Sequence, residues 1–411
     1  MKYCLLGRKL PYSYSAVIHK KAGLYYELTE VEPEKLKEFA ILSAYDGYNV
    51  TIPYKTEIIK YLDEINGDAK SIGSVNTVLN HGGKRIGYNT DCAGLQYLFD
   101  RAGVKITNKN VLILGSGGTY KTAAFVCGQN GAKNVKSVSR TGEINYDNCY
   151  DKAKDAEIII NCTPVGTYPD VFNTPVDLAR FKKVEFVADC VYNPLKTVLA
   201  LKAEEQGIKN SNGLPMLVYQ ALLSEEIWTG EKKTDRAEEI LREILLEKGN
   251  VVLYGMAGSG KTTVGKTVAE ILEREFIDTD EEILKKTGRT PSDIILKDGE
   301  NVFRDIESEV IKEIAVKTGA VIATGGGAVL RTENVNALKL NGTLIYLKRD
   351  LNLLSHIDRP LTEKHGAEKL YEERKNVYES IKDGEVINDK SVEIIAKGVI
   401  KKYENSRYKR C

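Results

Sequence analysis

The chain reads as an α/β protein of more than one domain, and three observations predict this. Its 411 residues amount to about two or three ordinary domains. Two glycine-rich loops, in VLILGSGGTYKTAAFV and VVLYGMAGSGKTTVGK, each follow an apolar strand pattern and open a helical one. Short strand patterns also alternate with helical ones over most of the length, which favours mixed α/β layers.

Residues 1–91 carry strand patterns at KYCLLG, YYELTEV, GYNVTI, SVNTVL and KRIGYN, with the helix-like EPEKLKEFAILSA among them. Asp91–Gly103 has helical apolar spacing at Leu95, Leu98, Phe99 and Ala102 and leads into a second unit. From Asn110 that unit reads strand, glycine loop, helix, then NVKSVSRT, AEIIINCTP and VEFVADCVY as further strands. Near-continuous apolar runs of this kind suit a parallel sheet covered on both faces. After Gly213, LPMLVYQALLSEEIWTG returns to a helical pattern, and the charged stretch 231–249 reads as a polar linker. A complete strand–loop–helix unit begins just beyond it, which places the main boundary near Glu247. The expected division is 1–92 with 213–246, then 93–212, then 247–411.

A net charge of +1 provides no excess of either sign for nucleic acid or a membrane surface. The seven cysteines form no CxxC, and none of the four histidines stands at metal-ligand spacing, so the thiols read as reduced and no zinc site is expected. The first residues lack the apolar core of a signal peptide, and no apolar run reaches membrane-spanning length. These features predict a cytoplasmic protein whose partners are small molecules; the sequence is silent on whether it is a monomer or a homodimer.

The first loop, Gly115-Ser116-Gly117-Gly118, is either a dinucleotide site on a helix N-terminus or a tight turn without a ligand. Tyr120 stands where a third glycine would be. The next strand ends in Ser139-Arg140-Thr141, with no acid at its tip. An acid there would hold the ribose 2′-hydroxyl of NAD, whereas an arginine holds the 2′-phosphate of NADP. NADP(H) is therefore expected, although Arg140 alone also reads as a solvated charge.

Four strings precede this loop: Ser13-Tyr-Ser15, Asn49-Val-Thr51-Ile-Pro-Tyr-Lys55, Ile72-Gly-Ser-Val-Asn76-Thr77 and Asn89-Thr-Asp91. Singly each is ordinary. In this order, with GSGG and SRT behind them, they resemble shikimate dehydrogenase, as do Asp189-Cys-Val-Tyr192-Asn-Pro194 and Asn212-Gly213-Leu-Pro-Met216-Leu-Val-Tyr-Gln220. The resemblance implies a two-lobed dehydrogenase, an α/β substrate domain plus a Rossmann-type NADP domain. It implies that Ser13 and Ser15 bind the substrate carboxylate, with Tyr192 also at the substrate. Thr51, Asn76, Asp91 and Gln220 would hold the ring hydroxyls. Gly213 and Met216 would border the cofactor, and Lys55 with Asp91 would form the catalytic pair. Hydride reduction of a ketone develops alkoxide charge, so a positioned proton donor is required, and a lysine held by an aspartate supplies one. Two departures from the family pattern are Tyr12 in place of histidine and Ser139 in place of asparagine.

The second loop, Gly255-Met-Ala257-Gly258-Ser259-Gly260-Lys261-Thr262, followed by Thr263, fulfils the P-loop pattern and cradles a nucleoside triphosphate with Mg²⁺. Behind it come Asp278-Thr-Asp280, Arg304-Asp-Ile-Glu307, Gly325-Gly326-Gly327, Asp358-Arg359-Pro-Leu361 and Arg374-Lys-Asn-Val-Tyr378. Together these resemble shikimate kinase, a P-loop α/β domain with a central parallel sheet. By that resemblance Lys261 contacts the outer phosphates, Thr262 ligates Mg²⁺ and Asp278 supports the metal. Asp280 binds the reacting hydroxyl as base or orienter, and Arg304 and Arg374 clamp the carboxylate. The three glycines admit the substrate to the backbone, and Arg359, on a closing lid, neutralises charge on the transferring phosphoryl group.

The expected whole is a bifunctional shikimate-pathway enzyme of aromatic amino acid biosynthesis. It would reduce 3-dehydroshikimate with NADPH and phosphorylate shikimate to shikimate 3-phosphate with MgATP. Two alternatives are a quinate-type first reaction with NAD, and one inactive module kept as a regulatory ligand-binding domain. The polar linker motivates a further expectation, that shikimate is released between the steps and not channelled.

Overall fold

The computed structural model describes residues 1–10, 13–354 and 366–408. The chain forms two compact units, Met1–Asn193 with Thr197–Glu243, and Pro194–Lys196 with Ile244–Cys411.

The first unit contains two sheets. One has strands β1 (Tyr3–Gly7), β2 (Tyr26–Glu30), β3 (Gly47–Val50), β4 (Glu64–Ile65), β5 (Thr77–His81) and β6 (Lys84–Tyr88), in the order β2-β1-β3-β5-β6-β4. β1 runs parallel to β2 and β3, with helices Ser15–Lys21 and Leu36–Leu42 in the crossovers. β5 is antiparallel to β3 and to β6. The β5–β6 hairpin turns through Gly82 and Gly83 at φ 59° and 77°, the left-handed pair that a tight two-residue hairpin turn requires. Behind the sheet Cys4, Leu6, Tyr48, Val50, Val75 and Val78 form one buried cluster.

The other sheet is entirely parallel: β7 (Asn110–Leu114), β8 (Asn134–Val138), β9 (Ile158–Asn161), β10 (Phe186–Asp189) and β11 (Lys209–Ser211), in the order β11-β10-β9-β7-β8. Successive residues of β7 point to opposite faces. Val111 and Ile113 join Leu95, Leu98, Phe99 and Ala123, while Leu112 and Leu114 join Leu199 and Ala203. Both faces are therefore covered by helices, which explains the unbroken apolar runs. Tyr120 is half-buried against the first of these clusters, so its bulk is absorbed by the core. The strand order reverses direction at β7, and the carboxyl ends of β7 and β9 meet at Gly115 and Cys162, the crevice where open α/β sheets bind ligands.

The second unit has one parallel sheet, β12 (Asn250–Tyr254), β13 (Phe276–Asp278), β14 (Val321–Ala323), β15 (Gly342–Lys348) and β16 (Gly384–Ile387), in the order β13-β14-β12-β15-β16. Val251 and Leu253 face one apolar cluster, and Val252 and Tyr254 face the other. β12 is central, so the loop after it opens in the middle of the sheet's carboxyl edge, leading into helix Lys261–Leu272.

The stretch 231–249 corrects the sequence reading. It is not a polar linker: it holds a turn at Thr234–Arg236 and a helix, Ala237–Lys248, inside which the division between the units falls. Ala237, Ile240, Leu241, Ile244 and Leu245 are buried along it, a helical stripe masked by Glu238, Glu239, Arg242, Glu243, Glu247 and Lys248. The argument for release of shikimate between the steps loses its motive with the linker. Strands β4 and β11, of two and three residues, also went unread.

Two candidate active sites

In the first unit the expected residues gather into three groups, the first two of them joined. Lys55, just beyond β3, places Nζ 2.7 Å from Oδ2 of Asp91, the first residue of helix Asp91–Ala102. Both side chains are largely buried, at 15% and 9% exposure, which strengthens their attraction over that of a surface pair. The glycine loop lies beside them: a Cβ on Gly118 would stand 3.5 Å from Lys55 Cδ and 3.4 Å from Ser74 Oγ.

The second group is amide-rich. Asn76 donates through Nδ2 to Thr90 Oγ1 at 2.9 Å and to Gln220 Oε1 at 3.2 Å, and its Oδ1 accepts from the Thr90 backbone N–H at 2.7 Å. Thr90 immediately precedes Asp91, which joins this group to the first. Gln220 arrives on helix Leu214–Thr229, which packs closely on Asp91–Ala102 because Gly94 has no side chain: a Cβ there would fall 2.6 Å from the Met216 carbonyl.

The third group is Ser13 with Tyr192, whose phenol is bonded by the Ser13 hydroxyl and lies with its ring 5.2 Å from that of Tyr14. Burial raises the Tyr192 pKa, with Ser13 partly opposing, so the phenol stays a neutral donor. The Ser15 backbone N–H donates to Ser13 Oγ at 3.2 Å, and Ser15 itself is buried. Thr51 is half-buried at the end of β3 and touches the position of Gly7, where a Cβ would be 2.8 Å from its methyl.

Along the glycine loop Ser116 and Gly117 are exposed, Gly115 has φ 112°, and the space at Gly117 is open to 4 Å. Gly213 faces the Cys190 carbonyl so closely that a Cβ would lie 2.2 Å from it, and Met216 is buried in the helix that follows. Beyond β8 Ser139 is half-buried, while Arg140 and Thr141 are exposed. This cradle fits a dinucleotide: it has a glycine backbone at a helix start, an open space above it, and an exposed arginine at the next strand's tip.

In the second unit the loop from Gly255 to Gly260 bends through three left-handed glycines, Gly255, Gly258 and Gly260, at φ 144°, 82° and 91°. Lys261 Nζ lies 3.0 Å from the Gly255 carbonyl and 2.8 Å from that of Met256. Thr262 Oγ1 donates to Asp278 Oδ2 at 2.7 Å, and Asp278 Oδ1 caps the next helix by accepting from the Asp280 N–H at 3.0 Å. A hydroxyl and a carboxylate so paired are hard oxygen donors that suit Mg²⁺. Thr263 is exposed beside them, and Ala257 and Ser259 line the loop, with Asn388 Nδ2 donating to the Ser259 carbonyl at 2.7 Å.

Asp280 is exposed beside the first of the three glycines, where a Cβ on Gly325 would come 3.1 Å from its Oδ1. Arg304 is buried and bonds Glu307 at 2.6 Å and Glu300 at 3.1 Å. Gly327 has to be glycine here, because a Cβ would lie 2.2 Å from Arg304 Nη2. Buried Arg374 bonds the Tyr378 hydroxyl, which donates to the Gly326 carbonyl at 2.5 Å. Gly326 adjoins Ala257 of the phosphate loop, with a Cβ position 3.0 Å from the Ala257 N. Arg359 lies outside the described residues, as does all of the expected lid beyond Leu354.

Glu307 is the residue that sequence reasoning quoted without giving it a role. It is fully buried, and burial raises its pKa while Arg304 pulls it back down. Its Oε1 would stand 2.7 Å from a Cβ on Gly325. The signal was its spacing of three from Arg304 on helix Glu300–Ala315, which puts the two on one face.

Comparisons with known proteins agree on both units. The family profile of the shikimate dehydrogenase substrate binding domain matches residues 5–78, that of the shikimate 5′-dehydrogenase C-terminal domain residues 213–238, and that of shikimate kinase residues 257–404. A shikimate dehydrogenase (NADP(+)) of Methanococcus maripaludis strain C6 is 40% identical over 256 residues, covering 56% of this chain and 91% of that protein. The crystal structure of shikimate dehydrogenase 1 from Peptoclostridium difficile aligns with TM-score 0.56 at 34% identity, over 59% of this chain and 98% of that one. The Thermus thermophilus shikimate 5-dehydrogenase, solved with NADP(H) and shikimate, aligns with TM-score 0.53 at 30% identity, over 59% and 99%. The chain therefore belongs to the shikimate dehydrogenase family and carries a shikimate kinase domain behind the dehydrogenase.

Proposed function

We propose that the chain is a bifunctional shikimate-pathway enzyme of the cytoplasm that reduces 3-dehydroshikimate to shikimate and phosphorylates shikimate to shikimate 3-phosphate. The observation that carries the first reaction is the Lys55–Asp91 pair, 2.7 Å apart beside the glycine loop at Gly118. NADPH supplies the hydride when bound. Gly115, Ser116, Gly117 and Gly118 would hold its pyrophosphate, Ser139, Arg140 and Thr141 its 2′-phosphate, and Gly213 and Met216 would flank it. Lys55 donates a proton to the oxygen of the reacting carbonyl, and Asp91 holds the ammonium in place and accepts from a ring hydroxyl. Ser13, Ser15 and Tyr192 give donors to the substrate carboxylate, while Thr51, Asn76 and Gln220 orient the ring.

The second reaction takes its phosphoryl group from ATP. Lys261 and the N–H groups from Ala257 to Thr263 would hold the phosphates, and Thr262 with Asp278 would hold Mg²⁺. Asp280 accepts the proton of the attacking hydroxyl and is fixed by the backbone N–H it gives to Asp278. Arg304, presented by Glu307 and Glu300, and Arg374, held by Tyr378, clamp the carboxylate, with Gly325, Gly326 and Gly327 beneath the ring. Arg359 would neutralise charge on the transferring group.

The test of specificity is steady-state kinetics on the full chain, comparing NADPH with NADH on 3-dehydroshikimate, and shikimate with quinate in the oxidative direction with NADP+ or NAD+. Preference for NADP(H) and shikimate, lost towards NADP(H) in Arg140→Ala, supports the reading. Equal or better use of quinate with NAD contradicts it.

A further inference from the structure

Asn49 lies in β3 behind the residues assigned to the substrate, and we propose that it is a positioning residue that holds the Asn76–Thr77 segment and Ser224 where the amides of Asn76 and Gln220 meet the substrate. The inference rests on the dehydrogenase reading, in which those two amides meet the substrate ring. Asn49 is 5% exposed, and its neighbours Thr77, Ser224, Thr90 and Asn76 are exposed by 2% or less. At such burial the polar atoms have to satisfy one another.

Groups that can only donate or only accept set the polarity. The Tyr26 hydroxyl donates to Asn49 Oδ1 at 2.7 Å, which leaves Nδ2 on the other side. Nδ2 then meets Ser224 Oγ at 2.9 Å, Thr77 Oγ1 at 3.0 Å and the Asn76 carbonyl at 3.2 Å. Thr77 Oγ1, receiving from Asn49, lies 2.8 Å from Ser224 Oγ, 3.1 Å from Thr90 Oγ1 and 3.2 Å from Asn76 Oδ1, so it ties Asn49 to all three. The Thr90 backbone N–H, a donor only, reaches Asn76 Oδ1 at 2.7 Å. With that N–H on Oδ1, Asn76 turns Nδ2 to Thr90 Oγ1 and Gln220 Oε1. Gln220 therefore accepts through Oε1 and donates through Nε2. One Nε2 hydrogen goes to the Leu217 carbonyl at 2.8 Å, and the second is the donor left for a substrate oxygen. The relay joins Tyr26 and Asn49 to Gln220 by two routes, through Thr77 and Asn76 and through Ser224, whose hydroxyl donates to the Gln220 carbonyl at 2.9 Å.

The test uses Tyr26→Phe and Ser224→Ala in the full chain. Tyr26→Phe removes the hydrogen bond that holds Asn49 Oδ1 and keeps the ring stacked on His19 at 3.9 Å. Ser224→Ala removes one acceptor of Nδ2 together with the donor to the Gln220 carbonyl, and checks the first variant should it fold poorly. The expected result is a KM for 3-dehydroshikimate raised about five- to tenfold, the worth of one hydrogen bond, with KM for NADPH and kinase turnover unchanged. In an Asn76→Ala background Tyr26→Phe should have a smaller effect on that KM, because one of the two routes to Gln220 is already gone. An unchanged KM, with only a lower melting temperature or active fraction, overturns the relay, as does an equal effect in both backgrounds. A wild-type chain that fails to reduce 3-dehydroshikimate overturns the dehydrogenase reading first, and the relay with it.

Discussion

Lys55 Nζ and Asp91 Oδ2 lie 2.7 Å apart although 36 residues separate them in sequence, and Gly118 of the glycine loop packs against the Lys55 side chain. One lysine thus touches both the carboxylate that orients it and the loop assigned to the cofactor. Replacing Lys55 with Met should lower dehydrogenase turnover by about 10²–10⁴-fold, the usual worth of a general acid. Kinase turnover in the same preparation should stay as it was. Parallel assays of NADPH and ATP consumption check this, and loss of both activities with the fold intact by circular dichroism would contradict independent sites.

Gly117 and Gly213 make opposite predictions about alanine. At Gly117 a Cβ meets nothing within 4 Å and φ is −82°, so Gly117→Ala should keep its melting temperature. The same methyl would occupy the space assigned to phosphate and raise KM for NADPH about tenfold or more, as loss of a charge-assisted hydrogen bond does. At Gly213 the Cβ would strike the Cys190 backbone carbonyl at 2.2 Å, so Gly213→Ala should lower the melting temperature itself. Thermal melts beside NADPH titrations separate the two effects.

In the kinase domain Gly327→Ala should act through Arg304, whose Nη2 lies 2.2 Å from the position the new methyl would take. The guanidinium is buried between Glu307 and Glu300, so it moves only by breaking those bonds. KM for shikimate should rise about tenfold with KM for ATP unchanged, because one charge-assisted contact is displaced. Steady-state kinetics with each substrate varied in turn reads the difference.

The glycine loops and the ordered strings around Lys55, Asp91 and Asp280 were legible in the sequence because each depends on short spacing along the chain. What escaped depends on contacts between distant positions. Ser224 looks like one polar residue on a long apolar helix until the fold sets it 2.9 Å from Asn49, 175 residues away. Glu307 looks like a surface charge until burial leaves it facing Arg304. The helix Ala237–Lys248 was hidden by its own charges, since its apolar stripe is visible only when the residues are read at helical spacing.

Asp189, at the end of β10, gives a pH dependence to stability. Burial pushes its carboxyl up to about 6, against bonds from Thr197, the Val191 N–H and Asn161 that favour the charged form. The folded state then binds the proton more tightly than the unfolded state, whose carboxyl titrates near 3.8. This contribution is complete below about pH 4 and is lost as pH rises towards 6, on the order of 2–3 kcal/mol across that window. Asp189→Asn should flatten the pH 4–6 slope of dehydrogenase-domain stability. Denaturant melts at several pH values measure it, and an unaltered slope in the variant would contradict the assignment.

The most direct test of the central claim is a two-channel assay on the purified chain, following NADPH consumption with 3-dehydroshikimate alone and ATP consumption with shikimate alone. The account predicts turnover in both channels, with Lys55→Ala silencing only the first and Lys261→Ala only the second. A wild-type chain active in one channel alone would contradict it.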